Sequence, residues 1–115
     1  MLAADLSLAE RRRLEVARAL AAHPALLVLD EPAAGMDEGE ASALAELIRS
    51  LATEATTMLL IEHNVRMVLE ICTRIVVLDS GEVLTAGDPA TVARDPRVIA
   101  TYLGTAEPNQ VTTNE

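Results

Sequence analysis

The chain has 115 residues, half of them hydrophobic and 23% charged, with a formal net charge of -9, a length that fits one small domain or part of a larger one. All nine basic residues are Arg and Lys is absent, which excludes a lysine Schiff base and the phosphate-cradling pattern GxxxxGK[ST] within these residues. The acidic balance argues against a nucleic-acid partner and against anionic lipid. With one Tyr, no Phe and no Trp, the core has to be built from Ala, Leu, Val and Ile. The single cysteine, Cys72, cannot close an internal disulfide and falls in an apolar helical pattern, as a small buried hydrophobe does. The start, MLAADLSLAERRR, meets charge before any apolar stretch develops, unlike a signal peptide. No apolar run approaches the roughly 20 residues of a membrane span.

Residues 14–22 are rich in Ala and Leu with Arg and Glu between, which predicts a helix that Pro24 stops. Residues 25–29 are continuously apolar and bounded by Pro24 and Asp30-Glu31-Pro32, which predicts a strand buried on both faces. A loop over 33–39 leads to a helix over 41–52, where Leu44, Leu47, Ile48 and Leu51 share one stripe. Residues 57–61 form a second buried strand. Asn64 can cap a helix in which Val65, Val68, Leu69 and Cys72 repeat at helical spacing. Residues 75–78 form a third strand, 79–82 a turn, and 83–86 return as a hairpin. Pro89 opens a short helix, Pro96 interrupts it, and 97–103 add a helical turn or two. The composition of 105–115, mostly Thr, Asn, Pro, Gln and Glu, predicts a disordered tail after a folded part over 1–104.

Buried strands alternating with amphipathic helices predict an α/β layered fold with a mostly parallel sheet, a C-terminal β-hairpin and short helices. Only about three parallel strands are visible and no strand precedes the first helix, so the expectation is the second half of a domain.

In open α/β sheets, ligands sit outside the carboxyl ends of the strands. The first strand ends in Asp30-Glu31, the second in Glu62-His63 and the third in Asp79. Four apolar residues followed by Asp and Glu form the Walker B pattern of nucleotide hydrolases. The first carboxylate, rigid at a strand tip, orients Mg²⁺ directly or through water. The second reaches a water in line with the terminal phosphate and can take its proton. The chain contains its own control: Val76-Val77-Leu78-Asp79 has the same apolar-to-Asp form and ends in a turn. His63 can donate to a γ-phosphate, or serve as a polar residue at a helix entry beside Asn64. Ser7 and Glu10 have the spacing of a capping box, and a capped helix N-terminus also presents N–H groups to a phosphate. Arg11, Arg12 and Arg13 by themselves predict a solvated helix face.

Taken together, these segments resemble the ATP-binding subunit of ATP-binding-cassette (ABC) transporters. LSLAERRRLEVARAL is similar to the family's signature segment and its helix, LLVLDEP to Walker B with the catalytic glutamate, AAGMD to the D-loop and LLIEH to the switch-histidine strand. DEPAAGM, the LLIEHN strand end and RVIATYLG are similar to the branched-chain amino acid importers. The resemblance implies a partial P-loop NTPase-type fold that uses ATP and Mg²⁺. It implies Asp30 as the Mg²⁺-associated acid, Glu31 as the group polarising the attacking water and His63 as the switch histidine. Ser7, with Ala9 and Glu10, would face the γ-phosphate of ATP on the opposite subunit, and Asp37 would lie across the dimer seam. The implied partners are transporter membrane subunits, a second ATPase subunit and an upstream P-loop half. The implied location is cytoplasmic, on the inner face of the plasma membrane. Two positions depart from the family pattern: Ala9 replaces its signature Gly and Glu10 its Gln. Two other readings stay open, a non-transport ATPase of the same superfamily and a non-catalytic interaction module derived from one.

Overall fold

The computed structural model describes residues 5–53 and 55–103. The expected tail over 105–115 lies outside the described residues. The chain divides into two compact units between Met67 and Val68.

In the first unit, helix α1 spans Leu8–Ala21 and strand β1 Leu26–Asp30, followed by helix α2 over Glu38–Leu51 and strand β2 over Thr57–Ile61. The Ser7–Glu10 capping box forms: the Glu10 N–H donates to Ser7 Oγ at 3.1 Å and the Ser7 N–H to Glu10 Oε1 at 2.9 Å. The helix therefore starts at Leu8, ahead of the Ala- and Leu-rich stretch. It ends where His23 adopts a left-handed φ of 53° and donates to the Leu20 carbonyl at 2.9 Å.

Helix α2 begins at Glu38, earlier than the apolar stripe indicated, because Asp37 and Glu40 make a second capping box. The Glu40 N–H donates to Asp37 Oδ1 at 2.7 Å and the Asp37 N–H to Glu40 Oε1 at 3.1 Å. Its buried face carries Ala41, Leu44, Ala45 and Ile48, the period expected of a helix covering a core.

Strands β1 and β2 pair in parallel, from Leu26 opposite Thr57 to Asp30 opposite Ile61. Successive side chains alternate between faces. Leu27 and Leu29 are buried, whereas Leu26 and Val28 are 55% and 49% exposed. On β2, Leu59 and Ile61 are 51% and 45% exposed. The expectation of burial on both faces is corrected: the groups that bury Leu27 and Leu29 leave the opposite face of this ribbon open among the described residues.

Helix α3, Val65–Ile71, starts where Asn64 Oδ1 accepts the Met67 N–H at 3.1 Å, as its sequence predicts. In the second unit, β3 (Ile75–Asp79) and β4 (Glu82–Gly87) form an antiparallel hairpin with an irregularity between Val77 and Leu78. The turn residues Ser80 and Gly81 have φ of 54° and 82°, the double left-handed geometry of a tight hairpin. The described strands thus make two two-stranded sheets, one parallel and one antiparallel, and 75–78 joins the hairpin. The control segment ends as a turn, as expected.

Helices α4 (Pro89–Arg94) and α5 (Pro96–Val98) and a π-helical turn (Ile99–Leu103) follow. Ile75, Val92 and Val98 form the core, with Val68, Leu69, Cys72, Val77 and Leu84 packed against it. Burial pushes the half-buried Cys72 thiol pKa up, so the residue behaves as an unreactive hydrophobe. The only aromatic, Tyr102, donates its hydroxyl to the Leu78 carbonyl at 2.6 Å. Asp95 caps α5 and is gripped by the Arg97 guanidinium, Nε to Oδ1 at 3.2 Å and Nη2 to Oδ2 at 2.9 Å. That fork, then the Arg97 backbone N–H, holds the Asp95 carboxyl well below the usual carboxylate range.

Two outcomes follow from this packing. The 115-residue chain should self-associate through the open apolar face, because exposed flat apolar ribbons template pairing. Val28→Thr with Leu59→Thr, which keeps β-forming residues, should raise the monomer fraction on size-exclusion chromatography. For Asp95, the depressed carboxyl contributes stability that is complete above the unfolded value of about 3.9 and is lost as pH falls through the folded value. The thermal-midpoint gap between wild type and Asp95→Asn should therefore stay constant from neutral pH to about pH 5 and shrink below about pH 4.

Candidate functional site

The site grows from the adjacent carboxyl ends of β1 and β2. The Glu31 N–H donates to the Ile61 carbonyl at 2.7 Å, so the ladder continues one residue beyond β1. Glu31 then takes a left-handed φ of 49°, which costs a non-glycine residue about 1–2 kcal/mol and is a kind of strain that concentrates at functional sites. The backbone reverses immediately. The Ala34 N–H donates to the Glu31 carbonyl, and the Met36 N–H to the Ala33 carbonyl, both at 3.1 Å. Gly35 has a φ of 82°, and a Cβ there would sit 3.2 Å from Leu8 Cδ2. Loop 31–36 therefore lies against the start of α1 and needs glycine for both reasons.

From β2 comes His63, whose Nε2 lies 3.5 Å from Glu31 Oε2. Their side chains are 79% and 46% exposed. A contact this open to water does little for stability. Its consequence is placement: an imidazole and a carboxylate address the same volume outside the strand ends. Asp30 is exposed at the β1 tip, one residue before Glu31.

Two residues outside the expected set hold this arrangement. Glu62 Oε2 accepts the Ala33 N–H at 2.9 Å, and its Oε1 accepts the N–H groups of His63 at 3.0 Å and Asn64 at 3.2 Å. Arg12 donates through Nη1 to the Pro32 carbonyl and, at 3.4 Å, to the Glu31 carbonyl. The reading of three solvated arginines is thereby corrected: Arg11 and Arg13 are exposed, but Arg12 is half-buried. Arg12 lies one turn before Val16 and shares its face, and it is the burial of Val16 that singles Arg12 out. A cleft of about 430 Å³ runs between α1 and the β1 tip, lined by Arg12, Glu15, Val16, Leu29, Asp30 and Glu31 among others.

The remaining sequence candidates sit at helix starts. Ser7 and Glu10 bond each other around Ala9 at the N-terminus of α1. Asp37 caps α2, at the far end of the loop from Glu31. The described residues contain no group of three or more His, Cys, Asp or Glu side chains able to surround a metal ion. Magnesium usually takes one or two protein carboxylates and completes its shell with water and phosphate oxygens. Asp30 fits that use, and no closed protein cage is found among the described residues.

Residues 82–108 match the family model of the branched-chain amino acid ATP-binding cassette transporter. The chain is 48% identical over 100 residues to the lipopolysaccharide export system ATP-binding protein LptB of Acidithiobacillus ferridurans, covering 87% of this chain and 42% of that protein. It is 44% identical over 105 residues to the high-affinity branched-chain amino acid transport ATP-binding protein LivG of Escherichia coli strain K12, covering 90% and 41%. Among solved structures, the ADP conformation of MJ1267, an ATP-binding cassette of an ABC transporter, matches with a TM-score of 0.75 at 31% identity, over 87% of this chain and 41% of that one. In sequence and fold the chain is similar to ABC transporter ATP-binding subunits, matching a C-terminal region of them. It spans about two fifths of the length of the curated relatives it matches. The mixed parallel and antiparallel strands are part of a P-loop NTPase-type fold. No described helix is long and apolar enough to cross a membrane.

The Arg12 contacts predict a position-specific cost. Arg12→Ala should destabilise by about 1 kcal/mol through two lost charge-assisted bonds, with partial recovery in Arg12→Lys. Arg11→Ala and Arg13→Ala should stay within about 0.5 kcal/mol of wild type. Urea denaturation midpoints check this.

Proposed function

We propose that this chain carries the hydrolytic strand tips of an ATP-driven transporter subunit, and that the transporter takes up branched-chain amino acids. The observation that carries the first part is the 3.5 Å approach of His63 to Glu31 beside Asp30, at the carboxyl ends of two paired parallel strands. Mg²⁺ bound with ATP would supply charge neutralisation at the phosphates. Asp30 would hold that ion, directly or through water. Glu31 accepts a hydrogen bond, and then the proton, from the attacking water. His63 donates its N–H to a terminal phosphate oxygen and keeps Glu31 aligned beside it.

Ser7 Oγ accepts the Glu10 N–H, so its hydroxyl proton is left to point toward a phosphate held by a second ATPase subunit. In that dimer Ala9 narrows the backbone approach and Glu10 is kept from the phosphate by its bond to the Ser7 N–H. Asp37 would border the seam. The open face with Leu26, Val28, Leu59 and Ile61 suits packing against an upstream P-loop half. Membrane subunits of the transporter would hold the assembly at the inner face of the plasma membrane.

For the substrate, the family match over 82–108 and the 44% identity to LivG support branched-chain amino acids. The 48% identity to LptB favours a second reading, lipopolysaccharide export. Grafting this chain in place of the matching segment of Escherichia coli LivG separates them. The chimera should hydrolyse ATP and restore leucine uptake in a strain lacking LivG, while the equivalent LptB graft should not restore export. The reverse pattern would replace the importer reading. In the LivG chimera, Glu31→Gln should leave ATP binding intact and lower kcat by about 10²–10⁴-fold; an unchanged kcat removes Glu31 from the mechanism. The 115-residue chain alone, without Lys or a P-loop pattern, should show no saturable Mg-ATP binding by calorimetry at tens of micromolar.

A further inference from the structure

Glu31 and His63 lie just beyond the ends of different strands and are both solvent-exposed. The last backbone bond tying the strands at this end is Glu31 N–H to the Ile61 carbonyl. Beyond it, one carboxylate joins the two loops. Glu62 Oε2 takes the Ala33 N–H from the loop after β1, while Oε1 takes the His63 and Asn64 N–H groups from the loop after β2. No other side chain among the hydrogen bonds of the described residues bonds both loops. Arg12 holds only the first, and Asn64 Oδ1 is spent on the start of α3. Glu62 is half-buried, and its bridge to Ala33 is partly shielded from water, where charge-assisted bonds to N–H groups hold geometry better than exposed ones.

From this we infer that Glu62 is a positioning residue, which sets the separation and register of Glu31 and His63 by bridging the loops behind them. The inference rests on the reading of those two residues as the hydrolytic pair. A glutamate suits the task because each of its oxygens accepts independently. A glutamine keeps one accepting oxygen and turns the other into a donor that faces an N–H. It can therefore serve one loop but not both. Aspartate keeps both acceptors on a shorter arm and cannot span the same gap.

The test uses the ATP-hydrolysing LivG chimera and its Glu62→Gln, Glu62→Asp and Glu62→Ala forms. Glu62→Gln and Glu62→Asp should lower kcat by about tenfold to a hundredfold, the scale of a slight misplacement of catalytic groups, with KM for ATP unchanged within about twofold. Without nucleotide, hydrogen exchange should accelerate in at least one of the peptides covering 31–36 and 61–66 in both variants, while the rest of the chain keeps its protection. A role confined to stability would lower the thermal midpoint and leave kcat of the folded fraction at the wild-type value; that result overturns the inference. Wild-type exchange at both 31–36 and 61–66 in Glu62→Gln would overturn it equally. If Glu62→Ala fails to fold, the Gln and Asp forms decide. If Glu31→Gln leaves kcat unchanged, the functional reading fails. If Glu31→Gln stops turnover but Glu62→Gln does not slow it, only the positioning role fails.

Discussion

The site depends on one constraint, the parallel ladder that aligns the tips of β1 and β2. Asp30 sits opposite Ile61, and Glu31 still donates into the ladder at 2.7 Å. With side chains alternating at each step, this register decides which residues emerge where the strands end. A slip of one residue would turn Leu29 outward and take Glu31 out of reach of His63. The small apolar core serves this alignment: Leu27 and Leu29 are buried on one face, and α2 contributes Ala41, Leu44, Ala45 and Ile48.

Past the ladder, order is kept by polar contacts rather than burial. Glu31 adopts a left-handed backbone that a glutamate does not favour. The cost is offset by bonds on either side of it: Arg12 on the Glu31 and Pro32 carbonyls, Glu62 on the Ala33 N–H, and turn bonds closing at Ala34 and Met36. Gly35 allows the loop to lie on Leu8. Through these contacts the signature-like helix α1 is tied to the loop that follows β1.

Much of this was legible in the sequence because its signals are local. An apolar run ending in Asp-Glu marks a strand tip, Ser7-x-x-Glu10 marks a helix start, and Ser80-Gly81 marks a tight turn. Asn64 capped α3 as its chemistry predicts. What was not legible is long-range. Nothing in a run of three arginines says which one turns inward until Val16 is known to be buried. Glu62 looked like a residue before His63, and its bond to Ala33 crosses 29 positions. Burial of β1 on both faces was expected from apolar character alone, yet composition does not show which face a neighbour covers. The Asp37–Glu40 box was missed because acidic residues at 37–40 resemble loop, although their spacing is that of a cap.

The proposed hydrolysis requires Glu31 and His63 to act as a unit rather than as two exposed side chains that happen to be near. A double-mutant cycle on kcat in an ATP-hydrolysing chimera, with Glu31→Gln, His63→Ala and both together, measures that directly. Groups that work as a unit lose their function once. The predicted result is strong non-additivity, the double variant turning over about as slowly as the slower single variant. Losses that simply multiply would show the two residues acting independently and would contradict the account.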